Sequence, residues 1–268
     1  MNHAILLPEF PKGFHIWFLF IHYYALAYIG ALLLGWRLVR YLAALSPVAA
    51  TGEQVDDFLT WATLGIILGG RIGYVLFYQP GYFFTHPGQI IAVWDGGMSF
   101  HGGFLGVTVA IIWFCVKNGI NMLAFADRIA VAVPIGLFLG RCANFINGEL
   151  WGRPAPGWFP LAMIYPGDPA QLPRFPSELI EASLEGVVLF LVLLACVRPA
   201  WLRARAGTIT GIFVVGYGCA RIVGECFRQP DPFLNFLAFG ATMGQLLSIP
   251  MVLAGLGLIC FAGRRQAS

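Results

Sequence analysis

The chain has 268 residues, of which 59% are hydrophobic and only 11% charged, with a mean hydropathy of +0.76. A soluble domain carries about 25% charged residues, so the composition excludes a water-soluble globular enzyme and indicates one integral membrane domain spanning residues 1–268. The formal net charge of +3 is too small to point to nucleic acid.

Seven apolar runs, near 16–36, 58–78, 99–117, 124–145, 179–197, 208–228 and 242–262, are long enough to cross about 30 Å of hydrocarbon as helices. The first has no basic segment ahead of it and no small-residue cleavage site, so it reads as a retained span; His22 and Tyr24 fall in its first half. The second contains Arg71, and Gly69-Gly70 with Gly73 form a face suited to close helix packing. Asp95, Ser99 and His101 stand at the entrance of the third. Pro134 lies inside the fourth, where a membrane helix tolerates it and usually kinks. The sixth carries Arg221, Glu225 and Arg228. Alternating ten-residue segments of the kind a membrane β-barrel needs are absent. The predicted fold is an all-α membrane protein of seven transmembrane helices.

Orientation follows from basic residues in the short loops. Arg37, Arg40, Lys117, Arg128, Arg198, Arg203, Arg205, Arg264 and Arg265, nine of sixteen, fall on one side, whereas segment 79–98 has none. This predicts an outside N-terminus and a cytoplasmic C-terminus. The longest connection, 146–178, then falls on the outer face; rich in Pro, Gly and Trp, with Tyr165, it reads as a compact cap, either functional or an aromatic interface anchor. The six cysteines lie in apolar spans without metal-like spacing and are expected to be reduced, buried thiols. No metal is expected.

Residues 140–152 read Gly-Arg-Cys-Ala-Asn-Phe-Ile-Asn-Gly-Glu-Leu-Trp-Gly, which places Arg141, Asn144, Asn147 and Glu149 where an apolar helix ends. A charge near a membrane helix centre costs roughly 2.5–3.5 kcal/mol on insertion scales, so such a cluster is expected to bind or react. The predicted topology puts Tyr24, Arg71, His101, Arg141 with Asn144, and Arg221 with Glu225 in the same outer layer. Arg141 and Asn144, three apart, share a helix face, as do Arg221 and Glu225. Each arginine reads either as one half of a structural ion pair or as an anion ligand; paired guanidinium donors suit phosphate, and at that depth the anion is a lipid headgroup. Arg228 fits the structural reading better. His101, flanked by paired glycines, is either structural or a base, since an imidazole titrates near neutrality. Asp127 reads as a helix cap or dipole partner.

The 140–152 string matches Gly-Arg-x-Ala-Asn-Phe-x-Asn-x-Glu-x-x-Gly and so resembles the signature of the bacterial prolipoprotein diacylglyceryl transferases. Segments 95–103, Arg71-Ile72-Gly73-Tyr74 and 225–231 resemble further motifs of that family. The resemblance implies transfer of a diacylglyceryl group from phosphatidylglycerol to the lipobox cysteine thiol of a prolipoprotein signal peptide, forming a thioether and releasing glycerol 1-phosphate. It implies no cofactor, no nucleic acid and a multi-pass place in the bacterial cytoplasmic membrane bilayer. Carried over by motif, His101, Arg141 and Arg221 are the catalytic candidates. Tyr24, Arg71, Arg141, Asn144, Asn147, Glu149, Gly152, Arg221 and Glu225 are the substrate-binding ones. A free thiol has a pKa of about 8.5, so either His101 takes its proton or the arginine-rich field lowers its pKa. Where the family has Arg-His-Pro-Ser-Gln-Leu-Tyr-Glu, this chain has Arg174-Phe175-Pro176-Ser177-Glu178-Leu179-Ile180-Glu181, and roles of the missing histidine and tyrosine do not transfer. The competing reading is an anionic-lipid transporter, which predicts internal repeats and polar residues at both faces; neither is visible.

Overall fold

The computed structural model describes residues 4–230 and 240–264, without the side chains of Ile16, Leu19, Asp95 and Phe100. Arg265, the Asp95 side chain and residue 231 of the 225–231 segment lie outside the described residues. In chain order the elements are β1 (Ile5–Leu6), β2 (Gly13–Ile16), β3 (Leu19–His22), α1 (Tyr23–Ala43), α2 (Gly52–Phe77), α3 (Pro80–Thr85), α4 (Phe100–Asn118), α5 (Met122–Asn147), β4 (Met163–Ile164), α6 (Ser177–Glu181), α7 (Leu189–Val197), α8 (Ala200–Arg203), α9 (Thr208–Glu225) and α10 (Met243–Arg264). A π-helical stretch, Ala182–Val188, joins α6 to α7 without a break.

Among the described residues, six helices are long and apolar enough to cross a membrane: α1, α2, α4 from His101, α5, the continuous Ser177–Val197 and α10. α9, expected as a span over 208–228, is not among them; it carries both Arg221 and Glu225 and covers 208–225. The first span begins at Tyr23 rather than residue 16. Residues 13–22 form a hairpin, with Gly13 opposite His22 and Ile16 opposite Leu19, and Trp17 at φ 56° in its turn. An apolar run does not distinguish a strand pair from the start of a helix, so His22 ends β3 instead of standing in α1. A second small sheet pairs β1 with β4 in parallel; the helical class holds with these two additions.

The chain divides into two compact units, Met1–Leu38 with Asp127–Ser268, and Val39–Ala126. In the second unit, Thr51 and Gln54 form a capping box at the start of α2, satisfying two N-terminal donors. α2 and α4 meet through glycines: a Cβ added at Gly69 would lie 2.4 Å from the Gly102 carbonyl, and one at Gly73 2.7 Å from Gly102 Cα. The glycine face foreseen around Gly69 and Gly73 is therefore where two backbones touch.

In the first unit, α1 packs on α5 through small residues, Gly35 facing Ala132 and Gly136 facing Ala31, and α9 lies along α10. Asp127 caps a neighbouring helix rather than its own. It accepts from Gly207 N at 2.9 Å, Thr210 N at 2.7 Å and Thr210 Oγ1 at 2.7 Å, at the start of α9. Asp127→Ala strands three buried or half-buried donors, a buried one costing about 1–3 kcal/mol when unmade. A loss on the order of 3 kcal/mol is expected as a lowered thermal midpoint in detergent; an unchanged midpoint would show that the cap is dispensable. The cysteines depart from expectation. All six are free, but only Cys115 is buried, Cys142 and Cys196 are half-buried, and Cys219, Cys226 and Cys260 are exposed, because an apolar helix in lipid buries only one face.

Candidate active site

α5 ends at Asn147, and Gly148 reverses the chain at φ 64°. This turn brings Glu149 back beside the helix, where Glu149 N donates to Asn144 O at 3.0 Å. From α1, Tyr24 donates its hydroxyl to Glu149 Oε2 at 3.1 Å and accepts from Asn144 Nδ2. Asn147 Nδ2 reaches Glu149 Oε1 at 3.4 Å. Three polar residues of the signature and Tyr24 thus form one hydrogen-bonded group.

One turn earlier on α5, Arg141 is met by carboxylates from the Ser177–Val197 helix. Arg141 Nη1 lies 2.8 Å from Glu181 Oε2, and Nη2 lies 3.1 Å from Glu185 Oε2, with Nε donating to the same oxygen at 3.2 Å. Arg221 on α9 contacts Glu181 Oε1 at 3.1 Å and Glu185 Oε1 at 3.7 Å, and pairs with Glu225. Arg228 approaches Glu181 Oε2 at 3.7 Å and Glu225 Oε1 at 4.0 Å. Glu181, Glu185 and Glu225 are all buried. Two of these carboxylates flank or occupy the π-helical stretch, a geometry frequent at functional sites. Gly224 admits Glu181, whose Cγ would be 3.1 Å from a Cβ there, and Gly244 admits the Glu225 carboxyl at 2.7 Å. Both arginines foreseen as open anion ligands are therefore already neutralised, three guanidiniums against three carboxylates.

The segment after the signature is tied down backbone to backbone. Gly152 N donates to Phe175 O at 3.0 Å, Arg153 N to Phe227 O at 2.8 Å, and Arg174 and Met163 exchange two bonds at 2.8 and 2.9 Å. Arg153 reaches the Arg228 and Glu225 carbonyls, each at 2.9 Å, and so holds the end of α9. Arg174 donates to Asp168 at 2.6 and 2.9 Å and to Gly152 O at 3.1 Å. The Arg174 guanidinium holds the Asp168 carboxyl below the usual carboxylate range, while burial and the neighbouring Glu178 push the Tyr165 hydroxyl up. Because the folded-state pKa of Asp168 is depressed, its stabilisation is present above its unfolded value and lost as pH falls through the folded one. Asp168→Asn is expected to cost on the order of 3 kcal/mol near neutrality, where it leaves Arg174 buried without its counter-ion. That deficit shrinks in acid; a difference in thermal midpoint that stays constant with pH would contradict the assignment.

Arg71 and His101 belong to the other unit. Arg71 is buried, and its guanidinium donates to the carbonyls of Gln89, Ile90, Gly96 and Gly97, at 2.6 and 2.8 Å for the first two. Its donors hold segment 89–97, a geometry that braces this segment. His101 is exposed near the start of α4, after the N-cap Ser99, and lines an open recess with Phe77, Tyr78 and Leu105.

The model of the prolipoprotein diacylglyceryl transferase family matches residues 11–261. The chain belongs to this family. Proteins named phosphatidylglycerol–prolipoprotein diacylglyceryl transferase are similar to it over nearly their whole length. The one from Acidiphilium cryptum is 63% identical over 92% of this chain and 91% of its own. That from Gluconacetobacter diazotrophicus is 57% identical over 98% and 94%, and that from Gluconobacter oxydans 54% identical over 100% and 98%.

Of the expected site residues in this family member, Tyr24, Asn144, Asn147 and Glu149 form one contact group, and Arg141, Arg221 and Glu225 form the ion-pair network. Gly152 sits where three segments meet. Glu181, Glu185, Arg153 and the Asp168–Arg174 pair are not among the site residues that the sequence suggests. A signal was there for the first two: glutamates four apart on an apolar helix, on the same face, with the membrane cost that singled out Arg141.

Proposed function

We propose that the protein transfers the diacylglyceryl group of phosphatidylglycerol to the lipobox cysteine thiol of prolipoproteins, the first step of lipoprotein maturation. The observation that carries this reading is membership of the family combined with the Tyr24–Asn144–Glu149 group joined along α5 to Arg141. In the transfer, the thiol sulfur bonds to the glyceryl carbon, the carbon–oxygen bond to phosphate breaks, and glycerol 1-phosphate leaves with the electron pair. Arg141 and Arg221 stabilise the charge that grows on the departing phosphate, a role for preorganised donors often worth several kcal/mol. Tyr24, Asn144, Asn147 and Glu149 orient the headgroup, and Gly152 and Glu225 hold the surrounding frame. Arg71 holds the segment leading to His101, and His101 takes the thiol proton.

The protein sits in the bacterial cytoplasmic membrane as seven spans. α9 is the sixth, accompanied along its length by α10, and its charged residues are matched by buried partners instead of facing lipid. The distribution of basic loop residues supports an outside N-terminus and an outer-face position for 146–178. The test is purified protein with phosphatidylglycerol and a lipobox peptide, followed by mass spectrometry for the diacylglyceryl thioether. Absence of the mass gain would overturn the function. Full activity in His101→Gln would remove His101 as the base while leaving the function intact.

A further inference from the structure

Glu181 holds the two guanidiniums in a particular way. Its oxygens are divided between them, Oε2 at 2.8 Å from Arg141 and Oε1 at 3.1 Å from Arg221, with Arg228 at 3.7 Å behind Oε2. Two free oxygens on one anionic centre, each on a different arginine, is also how a phosphodiester would bind this pair. Glu181 therefore sits in the seat that the headgroup phosphate needs.

The seat cannot be emptied by swinging the carboxylate into water. Glu181 is 1% exposed, lies at the junction of α6 and the π-helical stretch, and packs its Cγ against Gly224 of α9. Nor can the phosphate simply be added. The groups facing Glu181 are Arg141 from α5; Arg221, Glu225 and Tyr217 from α9; Arg228 just beyond it; and Glu178 and Glu185 from its own helix. Three guanidiniums already balance Glu181, Glu185 and Glu225. Glu178 adds a fourth carboxyl, which accepts from Tyr165 at 3.0 Å. A further buried anion without compensation costs several kcal/mol.

We propose, resting on the function above, that phosphatidylglycerol binds by anion exchange: its phosphate takes the place of the Glu181 carboxylate between Arg141 and Arg221, and Glu181 takes up one proton from solvent. The balance is one phosphodiester monoanion and one proton in, with the network charge unchanged. The headgroup carries no proton in the accessible pH range, so any proton taken up belongs to the protein.

Calorimetric titration of the full-length protein in detergent with short-chain phosphatidylglycerol, in two buffers of different ionisation enthalpy, counts that proton directly. Wild type is expected to take up about one proton per lipid, with Kd weakening as pH rises wherever that uptake is seen. In Glu181→Gln the uptake is expected to vanish and Kd to become independent of pH. Wild-type binding with no proton exchange overturns the proposal, and needs no variant to fold. Persistent uptake in a folded Glu181→Gln variant overturns the assignment to Glu181. Absence of both binding and thioether formation removes the function itself, whereas thioether formation without proton uptake removes only the exchange.

Discussion

Arg141→Leu is expected to lower the rate of diacylglyceryl transfer by about 10³-fold, because a preorganised donor facing developing phosphate charge is typically worth that much. The same change is expected to destabilise the protein, since it leaves Glu185, which is fully buried, and Glu181 facing an apolar side chain. Breaking one side of a buried pair costs about 3–5 kcal/mol. The two effects separate in a second variant. Arg141→Leu combined with Glu185→Leu removes most of the stranded charge, so the thermal midpoint is expected to recover most of the loss while transfer stays abolished. Arg141→Lys should fall near Arg141→Leu in activity: Arg141 uses Nε, Nη1 and Nη2 at once, and an ammonium cannot reproduce that planar fork. The measurements are thermal melts in detergent and thioether yield by mass spectrometry. Recovery of activity in the double variant would mean that Arg141 serves only to neutralise Glu185.

The polar cost of membrane burial made Arg141, Asn144, Glu149, Arg221 and Glu225 legible in the sequence, because each is a rare residue type in an apolar run. Their contacts were less legible. That Tyr24 meets Asn144 and Glu149 depends on α1 and α5 lying side by side through Gly30, Ala31, Gly35 and Gly136, and small residues mark a face without naming its partner. Glu181 and Glu185 are less legible because they open a long apolar run, and their π-helical setting has no simple periodic signature. The boundary of α1 was displaced by seven residues because Phe14, Trp17, Phe18 and Phe20 suit a strand pair as well as a membrane helix. For Arg71, residue type suggested an anion ligand, and only the carbonyls of 89–97 show what occupies its donors.

Residues 140–152 contain three glycines, and only one is expected to be intolerant of a methyl group for reasons of close approach. A Cβ added at Gly140 meets nothing within 4 Å; Gly148 needs φ 64°; and a Cβ at Gly152 would lie 2.4 Å from Phe175 O, 2.6 Å from Phe227 O and 2.8 Å from Phe175 Cβ. The first two of these neighbours are backbone carbonyls, so no rotamer change relieves the clash. Gly152 N is bonded to Phe175 O, Gly152 O accepts from Arg174, and the residue bridges to Arg228. Gly152→Ala must therefore push apart the turn carrying Glu149, the 174–177 strand-like segment leading into Glu178 and Glu181, and the end of α9 leading to Arg228. A shift of about 1 Å in a catalytic constellation costs about 10²-fold in rate, and overpacking costs about 1–3 kcal/mol. The expected result for Gly152→Ala is a loss of about 100-fold or more in transfer with a modest drop in thermal midpoint. Gly140→Ala, which gains helix propensity, should fold at least as well as wild type. Equal thermal midpoints and equal activity for Gly152→Ala and wild type would show that the three segments have slack, and that the rigid frame around Glu149 and Arg228 is not what aligns the arginines with the lipid.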